Sequence, residues 1–242
     1  MLLHRDGHSV TLYERFDRPR PLGSGLMLQP TGMAVLARIG LAKKVAARGA
    51  RIDALLGLEE HGRTALDAPY ARLGVPGAFG IGIHRASLFQ VLYDAVNAAA
   101  IAVETSRDVA SSAVANGQRH LVFADGTRSL GHDLVIDASG WATRIGQGEA
   151  HGLLPFGALW ASLPVTEADP VAWNKLEQRY RRASQMVGVL PIGTRGDGQA
   201  QEVAFFWSLR GQDLERWRSQ PLEKWKDAVR ALWPEVDFLL ER

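Results

Sequence analysis

The sequence predicts an α/β fold: a doubly wound domain of parallel strands and helices, joined to a second domain built mainly on an antiparallel β-sheet. Three observations predict it. Up to Gly152, short strand-like runs alternate with helical ones, the pattern of a sheet wound with crossover helices. Beyond that point the strand-like runs lengthen and read as antiparallel strands, with polar helices between and after them. All seven tryptophans also lie at or after position 141, so the two parts of the chain have different jobs.

Taken in order, Leu2 to Gly7 reads as the last turn of a helix, with Gly7 as its left-handed stop. Ser9 to Tyr13 alternates with period two, as a strand does, and ends in Glu14-Arg15. A Pro- and Arg-bearing loop, Phe16 to Gly25, leads to one helix over Thr31–Arg48. Thr31 is its N-cap, and Val35, Leu36, Ile39 and Leu41 form its buried face. Paired strands over Arg51–Leu66 turn at His61-Gly62. A strand over Ala78–Ile83 precedes a helix over Ala86–Ala99, with Leu88, Val91, Leu92 and Ala95 inward. Hairpin signals follow at Asn116-Gly117 and Asp125-Gly126. The apolar run Leu134-Val135-Ile136 suggests a buried parallel strand. Pro155–Val165, Met186–Gly193 and Val203–Leu209 read as long antiparallel strands, with polar helices from Gln212 onward.

Composition narrows the function. The chain has 242 residues, 46% hydrophobic and 22% charged, as an ordinary folded protein has. Its net charge of +2 is scattered, which argues against a nucleic-acid partner. With no cysteine, disulfides, thiolate nucleophiles and thiolate metal sites are excluded. No apolar run approaches the roughly 18 residues of a membrane span, and no signal peptide opens the chain, so a cytoplasmic location is expected. The histidines are isolated, and Gly7 separates His4 from His8, so no metal site is expected.

Three motifs carry chemistry. Glu14 closes a strand that follows a helix and Gly7. In a dinucleotide-binding unit that position holds the acid that accepts hydrogen bonds from the adenosine ribose. The glycines of such a unit lie ~20 residues earlier, and only thirteen residues precede Glu14. Taken alone, Glu14 reads more simply as an ordinary charged strand end. Ile83-His84-Arg85-Ala86-Ser87-Leu88 leaves a strand and enters a helix, where Arg85 and free N–H groups can hold a phosphate. The alternative is a solvated arginine. In Asp133 to Arg144 an apolar strand ends in small residues and Gly140, allowing backbone to approach a ligand; a structural turn is the alternative.

In this order and spacing the chain resembles the para-hydroxybenzoate-hydroxylase-like (aromatic-ring hydroxylase) flavoprotein monooxygenases. The resemblance is carried by Val10 to Arg15, by Gly23-Ser24-Gly25-Leu26 leading into Pro30–Leu41, by His84 to Leu88 and by Asp133 to Arg144. It extends more loosely over Leu190 to Gly193 and Leu232-Trp233-Pro234. The resemblance implies a Rossmann-like FAD-binding domain over 1–50 and 84–152, and a substrate domain over 51–83 and 153–242. It implies that Glu14 binds the adenosine ribose, that Arg15, Ser24 and Gly25 lie near the pyrophosphate and flavin, and that Arg85 contacts the FAD phosphates. Ser139-Gly140 falls at the family's Asp-Gly fingerprint, with Ser139 in place of the acid.

The implied reaction uses FAD, NADH or NADPH as electron donor, and oxygen to hydroxylate a small organic substrate, aromatic compounds included. No catalytic acid or base is singled out. The first strand with its Gly-rich loop, and a closing Gly-Asp segment, are missing from the chain, so a form truncated at both ends is expected. Two rival readings stay open: a halogenase or non-hydroxylating flavin oxidoreductase, and an inactive remnant or small-molecule binder. Trp160 and Trp207 are the tryptophans best placed to line an apolar substrate pocket.

Overall fold

The computed structural model describes residues 1–20, 23–140, 144–145, 154–196 and 198–242. The chain opens with α1 (Leu2–Arg5), stopped at Gly7 with φ +88°, and β1 (Thr11–Tyr13). Next come β2 (Gly25–Leu28), α2 (Pro30–Arg38) and α3 (Ala42–Ala46). The single helix expected over Thr31–Arg48 is therefore two. At Gly40, φ is +79°, and the N–H of Leu41 donates to the Leu36 carbonyl, a left-handed C-terminal stop that glycine makes without steric cost. The N-cap is Gln29 rather than Thr31, because Pro30 has the fixed φ of a first helical residue. Met33, Leu36, Leu41 and Val45 are buried, while Val35 is 54% exposed.

The chain continues through β3 (Ala50–Ile52), β4 (Ala54–Glu59), β5 (Thr64–Pro69), β6 (Gly80–His84) and α4 (Arg85–Ala98). Then come β7 (Ala102–Glu104), β8 (Val109–Ala115) and β9 (Gln118–Phe123). The last part holds β10 (Phe156–Val165), β11 (Lys175–Arg181), β12 (Gln185–Gly193), β13 (Gln201–Arg210), α5 (Leu214–Ser219), α6 (Leu222–Leu232) and α7 (Asp237–Leu240). Among the described residues no helix is long and apolar enough to cross a membrane.

By contacts the chain divides into two compact units, Met1–Arg20 with Val96–Leu153, and Pro21–Ala95 with Leu154–Arg242. In the first, β1 pairs in parallel with β7, and β8 and β9 form the hairpin expected at Asn116-Gly117. Tyr13 packs against Phe123, 5.4 Å between ring centroids, and shares a 3.0 Å hydrogen bond with His132. The buried parallel strand expected at Leu134–Ile136 does not form. These residues have no ladder partner among the described residues, and Leu134 and Ile136 are 67% and 66% exposed. A strand exists only through its neighbour's hydrogen bonds, so apolar sequence alone does not make one.

In the second unit, six strands run in the order β10-β13-β12-β11-β4-β5, and β2-β6-β3 form a smaller sheet. The long strands expected at β10, β12 and β13 are present and antiparallel. The polar run over β11 does not read as a strand in the sequence; it is one because it bridges β12 and β4, pairing in parallel with β4. Period two sorts the large sheet's side chains. Val187, Val189, Val203, Phe205 and Trp207 face one side and pack against Trp225, Val229, Leu232, Trp233, Val236 and Leu239 of the C-terminal helices and turns. Ala204, Leu190, Ile192 and Leu176 face the other side, where Ile52 and Tyr70 join them.

The C-terminus is tied down by charge. Arg242 donates to both oxygens of Asp169, at 2.7 and 3.0 Å, and to the Pro164 carbonyl at 2.6 Å. Arg242, helped by the Thr166 N–H, lowers the Asp169 carboxyl from 3.8 to about 2. A depressed carboxyl favours folding above its ordinary value, and that contribution is lost as pH falls through about 2. Asp169→Asn is therefore expected to flatten the acid-unfolding curve between pH 3.8 and about 2, followed by circular dichroism. Superimposable curves would refute the tie.

Candidate functional site

The second unit contains a pocket of about 240 Å³, lined by Gly23, Ser24, Gly25, Leu26, Arg85, Trp160, Ala204 and Phe206. β2 supplies one wall and the β6–α4 junction another, joined where the Arg85 N–H donates to the Ser24 carbonyl at 2.9 Å. Two glycines make the approach possible. Gly23 has φ +114°, and a Cβ there would lie 2.7 Å from Arg85 Cδ. A Cβ on Gly25 would lie 2.5 Å from Ile192 Cγ2 and 2.7 Å from Ala204 Cβ, so only glycine lets β2 sit this close to the large sheet. Ser24 is buried, its hydroxyl 3.4 Å from that of Ser162. Arg85 is exposed and has no ion-pair partner among the described residues. A cation left uncommitted beside helical N–H groups can receive an anion.

The pocket opens onto the large sheet. Register places Trp160, Phe206, Gly188, Gln178 and Gly57 in one row across β10, β13, β12, β11 and β4, all on the same face. The two glycines are occupied from above: the Phe206 ring lies where a Cβ of Gly188 would be, and the Tyr180 ring where a Cβ of Gly57 would be. Both rings therefore lie over neighbouring strands and make an aromatic floor. The Tyr180 hydroxyl donates to Gln178 Oε1 at 2.7 Å, and burial raises its pKa. Trp160 is 55% exposed on this floor.

Behind the pocket, His84 is buried, and neither ring nitrogen has a hydrogen bond among the described residues; Nε2 lies 3.5 Å from Glu202 Oε2. Burial lowers the His84 pKa below its ordinary 6.5, Arg195 lowers it further, and Glu202 opposes both.

The other expected site residues lie in the first unit. Glu14 follows β1; its Oε1 accepts a 2.9 Å hydrogen bond from the Phe16 N–H, and its own N–H donates to the Glu104 carbonyl. Arg15 stacks on the Phe16 ring at 4.6 Å. Ser139 and Gly140 form a turn in which Asp137 Oδ1 accepts from the Ser139 N–H and hydroxyl at 2.9 and 2.6 Å, and Gly140 has φ +79°. Trp141, Ala142 and Thr143 of the same motif lie outside the described residues. Thus Ser24, Gly25 and Arg85 share one pocket, Glu14 and Arg15 share one loop, and Ser139 and Gly140 share one turn.

Sequence reasoning passed over Phe206, Ala204, Ser162, Gln178 and Tyr180. Of the two tryptophans expected near a pocket, Trp160 lines it and Trp207 is 3% exposed in the core beneath the helices. Alternation carries the signal that separates them. Once Trp160 is known to pair with Phe206, residue 207 must face the opposite side.

This fold is that of the flavoprotein monooxygenases. PqsL of Pseudomonas aeruginosa, described as a probable FAD-dependent monooxygenase, aligns in its complex with 2-aminobenzoylacetate over 99% of this chain and 65% of its own, with TM-score 0.76 and 18% identity. The tetrameric form of 2-methyl-3-hydroxypyridine-5-carboxylic acid oxygenase aligns over 98% of this chain and 61% of its own, with TM-score 0.74 and 17% identity. Klebsiella pneumoniae HpxO, complexed with FAD and uric acid, aligns over 95% and 57%, with TM-score 0.69 and 15% identity. In sequence, the chain is similar to the 3-amino-4-hydroxybenzoate 2-monooxygenase of Streptomyces cremeus, 36% identical over 146 residues. That match covers 57% of this chain and 35% of the relative, so it spans about a third of that enzyme's length. No family model matches the chain. The resemblance drawn from the motifs thus holds in both fold and sequence.

Proposed function

We propose that this chain is the flavin- and substrate-binding part of an FAD-dependent monooxygenase that uses NADH or NADPH to hydroxylate a small aromatic substrate. The observation that carries this is the pocket itself, where the uncommitted Arg85 and a glycine-lined backbone meet an open aromatic floor. The residues suit FAD: Arg85 and the first N–H groups of α4 offer a pyrophosphate its donors, and Gly23 and Gly25 leave room for it. Glu14 is at a strand end where it can accept ribose hydroxyls through the oxygen not used by Phe16. Arg15 and the Ser139-Gly140 turn belong to the same reading. So does the division of labour between 1–50 with 84–152 for the cofactor and 51–83 with 153–242 for the substrate. That division concerns ligands, whereas the compact units describe packing.

Bound FAD would supply the redox chemistry, drawing two electrons from the nicotinamide and delivering one oxygen atom of O₂ to the substrate carbon, the other leaving as water. The protein's part is orientation and shielding. Trp160 and Phe206 offer faces on which a planar ring stacks, and Tyr180 with Gln178 offers hydrogen bonds to a ring substituent. A ring carrying hydroxyl, amino and carboxylate groups fits that mixture, and the Streptomyces cremeus relative is named for such a compound.

The test uses the full-length protein, FAD, NADH or NADPH, labelled oxygen and 3-amino-4-hydroxybenzoate as the probe. One labelled oxygen in the product per reduced nicotinamide consumed is the expected result. Reduced nicotinamide consumed without label in the organic product would replace hydroxylation with a non-hydroxylating flavin oxidoreductase. A protein that never retains flavin would leave only a small-molecule binder.

A further inference from the structure

We propose that His84 is a positioning residue that couples a proton to the anion site at Arg85: an anion bound there draws a proton onto the buried imidazole, which then closes onto Glu202. The inference deepens the reading of Arg85 as an FAD ligand and rests on it. Four observations lead to it. His84 is the last residue of β6, directly before Arg85, and its cross-strand partner is the pocket residue Gly25. It is 5% exposed, and neither ring nitrogen is hydrogen-bonded among the described residues, an arrangement native interiors rarely tolerate without a purpose. Its Nε2 stands 3.5 Å from Glu202 Oε2, too far for a hydrogen bond, yet close enough that a small movement after protonation would make one. Glu202 is itself held, accepting from Arg195 Nε at 3.0 Å on both oxygens, so the imidazole and not the carboxylate is free to adjust.

The charges around His84 set the sign. Facing it are Glu202 from β13 and Arg195 from the β12–β13 loop, with Arg48 behind, donating to the Arg195 carbonyl at 3.4 Å, and Arg85 next in the chain. Without an anion, burial and Arg195 disfavour the imidazolium, and Glu202 only partly offsets them. An anion at Arg85 adds negative charge on the pocket side, which favours the imidazolium. Coupling between two sites is reciprocal, so the proton must strengthen anion binding by the same factor. The new His84–Glu202 contact would join β6 to β13 beside two pocket walls, so it steadies Gly25 and Arg85 as well as adding charge.

The experiment measures FAD affinity of the full-length protein by flavin fluorescence at about pH 8 and about pH 5.5, across the range where a histidine titrates. In parallel, the assigned His84 ring resonance is titrated with and without FAD. The expected result is tighter FAD binding at the lower pH by at least about fivefold, the low end of ordinary couplings between sites. His84 should titrate higher when FAD is bound, and lower in Glu202→Gln. His84→Gln should bind FAD equally at both pH values while melting near wild type; should that variant not fold, the wild-type ring titration decides alone. FAD binding independent of pH, or a ring titration unmoved by FAD, would overturn the coupling while leaving the flavin reading intact. No FAD binding at either pH would overturn both.

Discussion

Arg85→Ala in the full-length protein is expected to weaken FAD binding by about 1.5–3 kcal/mol, roughly ten- to a hundredfold in dissociation constant. The size follows from the side chain's situation. Its guanidinium has no ion pair among the described residues, so its charged hydrogen bonds are open to a ligand. It is exposed, so its loss opens no cavity, and the melting temperature of the ligand-free protein should stay within a degree or two. Flavin fluorescence titration against the wild type measures the effect. Equal affinities would remove Arg85 from the site, and with it the polar half of the pocket.

The larger effect on stability is expected at Trp207. Its indole is 3% exposed, lies among Val187, Phe205 and Val229, and meets Trp225 edge-on at 6.3 Å between centroids. Trp207→Ala should destabilise the protein by about 3–5 kcal/mol through lost burial and an unfilled cavity. Trp160→Ala, on the opposite face of the sheet and more than half exposed, should cost far less while weakening binding of an aromatic probe such as 3-amino-4-hydroxybenzoate. Chemical denaturation of the two variants side by side tests the assignment of faces. Similar losses in both would mean that the alternation along β10 and β13 has been misread.

Much of the fold was legible because local rules decide it. Gly7, Asn116-Gly117 and His61-Gly62 mark turns by chain conformation, and the structure has turns at each. The long runs at β10, β12 and β13 are β-rich enough to read as strands in isolation. Structure departs from local pattern where a neighbour decides. Residues 31–48 carry helical character throughout, but Gly40 takes a left-handed conformation that packing of Leu41 and Val45 stabilises. Lys175–Arg181 is too polar to announce itself, and it becomes a strand because β12 and β4 flank it. Leu134–Ile136 shows the reverse case, apolar residues lying exposed without a ladder partner among the described residues.

The sequence by itself carried the family resemblance and the separate pieces of the candidate site: an acid at a strand end, an arginine entering a helix, and small residues at strand ends. Each is a local feature, set by the residue and its immediate neighbours. Only the tertiary structure decided that Ser24, Gly25 and Arg85 share a pocket with Trp160 and Phe206, residues up to 182 positions apart, from Ser24 to Phe206. Only the structure decided that Trp160 faces this pocket while Trp207 faces the core, and that His84 lies buried against Glu202. The physical reason is register. Which residue stands beside which across a sheet depends on hydrogen bonds between distant strands, and a shift of one residue would turn every side chain to the other face.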